Sequence, residues 1–366
     1  MRYTEFNTIT EGGKSSGVRY NSEVALLHVF TGAKEFDPTD VAGSFDLTKL
    51  ANPESVVKGI ERFVIPEYND KFFEAWRQVG IKYQPYIQDK LASMPTKFGW
   101  VAGANAGPVA DVEFVGNECQ GISVKDSGGI TLRNLTPKAL GIEGEYGIDV
   151  FKFHASENYD KMKTKIFTDV MALAKSNPDK RITPLNDKYA ITYLSQEDKY
   201  RCEGKKTVEL TQEQLLNSVG KNDKWQRVFG DWFQANWSTK KQYAEALYLG
   251  IAKTFEKVIE NALQDRSKLA STLAFEDQSY FYATPKSLYF VPSVKDLGDI
   301  QIKSLKYGQP DGTSQKYLAE IGLPGSKENA AILIYIRYAN GMFETNPTVR
   351  IQQLKNPEHI GWQKLV

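Results

Sequence analysis

The spacing of apolar residues changes period near residue 95, and this switch limits the folds open to the chain more than any other feature. Upstream, Val56, Val57, Ile60 and Phe63 recur at intervals of three and four, which predicts a helix over about 53–64. A second helical pattern covers about 69–93, where Pro85 is expected to break or kink it. Earlier still, "NSEVALLHVF" reads as a helix with Asn21 or Ser22 as N-cap and Glu23 in its first turn, following a Gly/Ser/Thr-rich mobile arm over 1–18. Downstream of the switch, "KFGWVAGAN", "VADVEFVG", "CQGISVKDS" and "GITLRNL" are short apolar or alternating runs separated by Gly, Asn and Pro. They predict a meander of three or four strands.

From about residue 150 the helical period returns, in "YDKMKTKIFTDVMALAKS" and in "KKQYAEALYLGIAKTFEKVIENAL", where Leu247, Ile251, Phe255, Val258 and Ala262 form one stripe. A second β-rich stretch begins near 279 and includes Asn340-Gly341, a strong hairpin signal. This order predicts an α+β fold, with a mixed sheet flanked by helices. The predicted units are a core over 1–150, which helices from 151–200 could complete, a helical segment over 151–275, and a β-rich region over 276–366. A chain of 366 residues exceeds the roughly 250–300 that a single core usually serves, which also favours more than one domain.

Lys plus Arg (46) nearly balances Asp plus Glu (45), so the chain lacks the global basicity of a histone-like binder, and nucleic acid could be held only through local patches. Cys119 and Cys202 are far apart with no CxxC spacing, and His28, His154 and His359 are too scattered for a metal cluster or a triad. No run approaches the roughly 20 apolar residues of a membrane span, and the N-terminus has no basic-then-apolar leader. These features predict a soluble cytoplasmic protein without membrane partners. A P-loop, a GxGxxG turn and a nucleophilic serine elbow are all missing from the sequence.

The chemistry concentrates in "ADVEFVGNECQGISVKDSGG". Residues two apart on a strand share a face, so Asp111 goes with Glu113, and Ser123 with Lys125. If the two strands are neighbours, Asp111 and Lys125 converge. A carboxylate offers a hard oxygen to a divalent cation, and an ammonium beside it can orient water and offset negative charge, a pairing suited to phosphodiester hydrolysis. Asp111 and Lys125 could equally form a salt bridge at the sheet rim. Glu113 reads either as a second metal ligand or as a solvent-facing strand residue, and Asp126, on the opposite face from the lysine, reads as structural.

The chain here resembles the PD-(D/E)XK nuclease superfamily, which includes type II restriction endonucleases. The motif is an acid on one strand, then an acid, any residue and a lysine on the next. Asp111 and Lys125 match; Ser123 stands where the second acid is expected, which leaves Glu23 on the preceding helix to supply it, with Glu74 as its rival. The resemblance covers at most residues 19–140. It implies a restriction-endonuclease-like core, catalytic roles for Glu23, Asp111, Lys125 and Glu113 around Ser123, and Mg²⁺ held by Asp111, Glu23 and the main-chain carbonyl of Val124. It further implies a sequence-specific endonuclease acting on double-stranded DNA, as a homodimer because two strands must be cut. Arg133, Asn134 and Lys138, and Arg337, Tyr338 and Arg350 in the β-rich region, are candidates for nucleic-acid contacts. A phage or mobile-element nuclease or resolvase would show the same features, and a non-enzymatic nucleic-acid-binding or assembly protein is the alternative from another class.

Overall fold

The computed structural model describes residues 16–100, 110–126, 130, 134–135, 157–185, 187–218, 224–236, 259–260, 263–311, 314–338 and 347–366. Four helices come first: α1 (Ser16–Thr31), α2 (Val41–Ser44), α3 (Pro53–Phe63) and α4 (Asp70–Lys90). Helix α1 starts inside the stretch expected to be an arm, so neither Asn21 nor Ser22 caps it and Glu23 lies in its interior. The cap-like chemistry of Asn21 serves another helix instead. Its side-chain oxygen accepts from the Asn69 N–H (3.1 Å) and its amide donates to the Glu67 carbonyl (3.3 Å), fixing the approach to α4.

Every residue from Asn21 to Leu27 is buried, so α1 is enclosed on all sides rather than on one stripe. Helix α4 approaches it closely at Gly80, where a Cβ would lie 2.8 Å from Val29 Cγ2 and 2.9 Å from Leu26 Cδ2. Of the two expected outcomes at Pro85, a break is excluded, because α4 runs through it as one helix. Pro85 and Ile81, whose carbonyl loses its helical donor, both stand on the exposed side, where water can take over.

Strands β1 (Lys97–Trp100), β2 (Val112–Val115) and β3 (Gly121–Val124) form the expected antiparallel meander. The next strand, β4 (Asn134–Leu135), leaves it. The expected helix follows at Glu157–Lys175. The helical reading of 151–275 fails at 190–210, where β5 (Ala190–Leu194), β6 (Lys199–Glu203) and β7 (Val208–Leu210) make a small antiparallel sheet. Alternating burial along β6, with Tyr200 and Cys202 inside and Arg201 outside, explains that preference. The stripe from Leu247 to Ala262 lies outside the described residues.

The remaining strands are β8 (Tyr280–Ala283), β9 (Leu288–Val291), β10 (Gln301–Asp311), β11 (Ser314–Gly322), β12 (Ala330–Tyr338), β13 (Pro347–Lys355) and β14 (Gln363–Lys364). Two larger sheets result, with orders β1-β2-β3-β8-β9-β14 and β10-β11-β12-β13-β4. The fold is α+β, and the six-stranded sheet is mixed because β8 joins β3 in parallel. Half of that sheet comes from beyond residue 275, so a sheet confined to 1–150 is corrected by the pairing itself. Strand β4 pairs with β13 at the far edge of the second sheet. Asn340-Gly341 lies outside the described residues, while β12 and β13 on either side of it pair antiparallel.

The six-stranded sheet divides two hydrophobic cores. One face carries Phe98, Trp100, Val112, Phe114, Ile122, Val124, Phe281 and Ala283 against α1, α3 and α4. On the other face, Tyr280, Tyr282, Tyr289 and Val291 pack into a second core with the helix Glu157–Lys175 and the inner face of the five-stranded sheet. Among the described residues no helix is long and apolar enough to cross a membrane.

Candidate active site at the ends of two strands

Asp111 precedes β2 and Lys125 follows β3, so antiparallel pairing sets the two ends side by side. The local geometry depends on Gly121, whose φ of +143° few L side chains adopt and where a Cβ would fall 2.0 Å from the Val112 carbonyl oxygen. Beyond the last strand pair, Asp111 continues the ladder twice over. Its N–H donates to the Ile122 carbonyl (2.9 Å), and its Oδ2 accepts the Val124 N–H at 2.7 Å. The main chain of Lys125 is pinned from the other side, donating to the Ala283 carbonyl on β8 (2.9 Å).

The Lys125 ammonium has three protons and meets three acceptors: Ser123 Oγ at 3.0 Å, the Val124 carbonyl at 3.1 Å and Asp111 Oδ2 at 3.4 Å. Ser123 Oγ in turn donates to Asp111 Oδ2, at 3.4 Å. Carboxylate, hydroxyl, carbonyl and ammonium thus occupy one hydrogen-bonded cluster. The Asp111 and Lys125 side chains keep 14% and 26% of their surface exposed, so the cluster meets solvent at its ammonium end.

The predicted Asp111–Lys125 convergence is therefore present, and Val124 and Ser123 join it. Glu23 does not bond to either of them. Its carboxylate is buried and accepts from the Trp100 indole N–H at 3.0 Å. Trp100 stands opposite Val112, the residue after Asp111, with its ring in the core on the helix side of the sheet. Glu74, the rival acid, is held by Arg77 at 2.7 Å and Gln78 at 2.6 Å on its own helix. Glu113 shares the Asp111 face, one pleat along, and lies over Gly99 of β1, where a Cβ would sit 2.7 Å from its Oε2. Burial pushes the Glu113 carboxyl above its ordinary value. Among the described residues, no three His, Cys, Asp or Glu side chains are grouped to hold a metal ion.

Of the nucleic-acid candidates, Arg133 and Lys138 lie outside the described residues. Asn134 and Arg350 stand directly opposite each other in the β4–β13 pairing. Arg337 pairs with Thr348 and Tyr338 with Pro347, so these two neighbours fall on alternate faces of the second sheet. What the sequence reading missed is Trp100 as the partner of Glu23, and the main-chain groups of Ile122, Val124 and Ala283 that fix the cluster. A tryptophan ending a strand beside a buried-helix acid was a visible signal; the main-chain contacts had none.

No family model matches the chain, and no curated protein or solved structure shows significant similarity to it.

Proposed function

We propose that this protein is a Mg²⁺-dependent endonuclease that hydrolyses phosphodiester bonds of double-stranded DNA, with Asp111 and Lys125 at its centre. The observation carrying this reading is the convergence of a carboxylate, a lysine ammonium and a main-chain carbonyl at adjacent strand ends, all within 3.4 Å of the ammonium. The donor set suits Mg²⁺ in one specific respect. Three donors converge on Asp111 Oδ2, while its Oδ1 takes none among the described residues, leaving one hard oxygen for a cation. Magnesium typically takes one or two carboxylates and fills its octahedron with water and substrate phosphate oxygens, so a full protein cage is not required.

When bound, Mg²⁺ would supply Lewis-acid stabilisation of charge on the scissile phosphate. Asp111 would hold the ion through Oδ1, its Oδ2 being fixed by the Val124 N–H. Lys125 would orient the attacking water, whose oxygen forms a bond to phosphorus as the bond to the leaving oxygen breaks. Glu113, raised by burial and on the face shared with Asp111, would accept a proton from that water or extend the ligand set. A sequence-specific dimer of the restriction type is the form that such chemistry would take when both strands are cut.

A second reading comes from the shortest bond in the cluster, Val124 N–H to Asp111 Oδ2 at 2.7 Å. It suits a structural latch across two strand ends in a non-enzymatic nucleic-acid-binding or assembly protein. One experiment separates the two: plasmid and phage DNA incubated with Mg²⁺ and the wild type, Asp111→Asn or Lys125→Ala. The nuclease reading expects discrete fragments from the wild type and a loss of about 10²-fold or more in each variant. Equal cleavage by all three proteins, or no cleavage by the wild type across several substrates, would leave the latch.

A further inference from the structure

We propose that Ser123 is a positioning residue that mounts Lys125 through a neutral hydroxyl; the inference rests on the nuclease reading for its catalytic consequence, but not for its structural one. Ser123 is fully buried and lies on the strand face shared with Lys125. The ammonium can only donate, so Ser123 Oγ accepts from it at 3.0 Å, and the hydroxyl's own proton is left for Asp111 Oδ2 at 3.4 Å. The hydrogen-bond chain therefore has one direction, from Lys125 through Ser123 to Asp111.

Two of the ammonium's three bonds, to Ser123 Oγ and to the Val124 carbonyl, fall at 3.0 and 3.1 Å; the third, to Asp111, is stretched to 3.4 Å. The two shorter bonds form a fixed two-point mount. The third proton is the one free to turn toward a water molecule or a phosphate oxygen at little cost, since a contact of 3.4 Å is already weak. An acid at position 123 would compete for that proton with full charge. A hydroxyl holds the ammonium in place without doing so, and keeps the cluster at one negative and one positive charge instead of two negative and one positive.

The test uses the full-length protein and two measurements. In ¹⁵N-lysine-labelled protein without metal or DNA, the Lys125 ammonium should give a proton-detected signal because its protons are held from exchange. Ser123→Ala should lose that signal, and Ser123→Cys, which keeps the volume but accepts hydrogen bonds poorly, should lose it too, whereas Ser123→Thr should retain it. In the cleavage assay with Mg²⁺, Ser123→Ala and Ser123→Cys should lower kcat by about tenfold with KM for DNA little changed, and Ser123→Thr should recover most of the rate. A Lys125 signal that survives in both Ser123→Ala and Ser123→Cys would overturn the positioning role even if the wild type cuts DNA. If the wild type does not cut DNA, the nuclease reading falls and the exchange measurement alone decides the role of Ser123.

Discussion

The two acids that the motif groups together, Glu23 and Asp111, belong to opposite sides of one sheet and to different chemistries. On the helix-facing side, polar atoms are sealed in and matched to a partner, as the Glu23 carboxylate is to the Trp100 indole. On the other side, Asp111 keeps one oxygen unengaged among the described residues and its lysine reaches solvent. The alternation of a strand produces this difference. Val112, Phe114, Ile122 and Val124 go to the helices, while Asp111, Glu113, Ser123 and Lys125 go to the opposite face. An acid on the apolar side is structural unless a path to substrate exists, and an acid on the polar side can be chemical.

The sharpest way to break this contrast is to truncate one residue on each side. Phe281→Ala, on the helix side beside Ile122, should cost about 3–5 kcal/mol in chemical denaturation, by loss of a buried ring and creation of a cavity. Ser123→Ala, in the neighbouring strand but on the polar face, should cost only about 0.5–1.5 kcal/mol. Both residues are fully buried, so comparable losses would mean that the Ser123 hydroxyl bonds hold the sheet as strongly as a core ring does. Next in size is Trp100→Phe, which removes the indole donor from a buried carboxylate and should cost about 1–3 kcal/mol, with Glu23→Gln restoring part of it in the double variant.

Acid titration sharpens the contrast in direction. His28, in the helix layer among Phe36, Phe45 and Phe73, is pushed below 6.5 by burial. Its unfolded form takes up a proton first, so the stability associated with the neutral ring is full above 6.5 and is lost as pH falls from there through the folded value. Glu113 is shifted the other way. The folded state binds its proton more tightly than the unfolded state, so its contribution is greatest at low pH and declines as pH rises from 4.5 through the folded value. Denaturation of Glu113→Gln and His28→Gln between about pH 4 and 8 should therefore flatten slopes of opposite sign. Like-signed changes would mean the two groups do not sit in the settings described. The smallest effect belongs to Glu74→Ala: the exposed pair with Arg77 should contribute about 0–1 kcal/mol, and cleavage should be unchanged.

Strand order near the site was legible because the apolar period changes there, and because Asp111 and Lys125 sit two strand ends apart across a short turn. Four things were not legible. Parallel addition of β8 to β3 depends on residues that a local pattern cannot link, and the same holds for β4, which reads as a meander strand but pairs with β13. Asn21 looks like a cap from its neighbours, yet its partners are Asn69 and Glu67. Ser123 could be identified as a gap in the motif; that the gap is filled by a hydrogen bond to the lysine needed coordinates.

The bond from the Lys125 N–H to the Ala283 carbonyl ties the site to the order of synthesis. A ribosome releasing this chain makes Asp111 and Lys125 long before β8 exists, and pairing of such distant segments is among the slower steps of folding. The main chain of Lys125 gains this bond only after β8 has emerged. Any truncated product ending before Tyr280 would carry the whole acid-and-lysine motif on an unfinished sheet. If the chain cuts DNA, the part of the motif's support that comes from β8 would be missing from such a product.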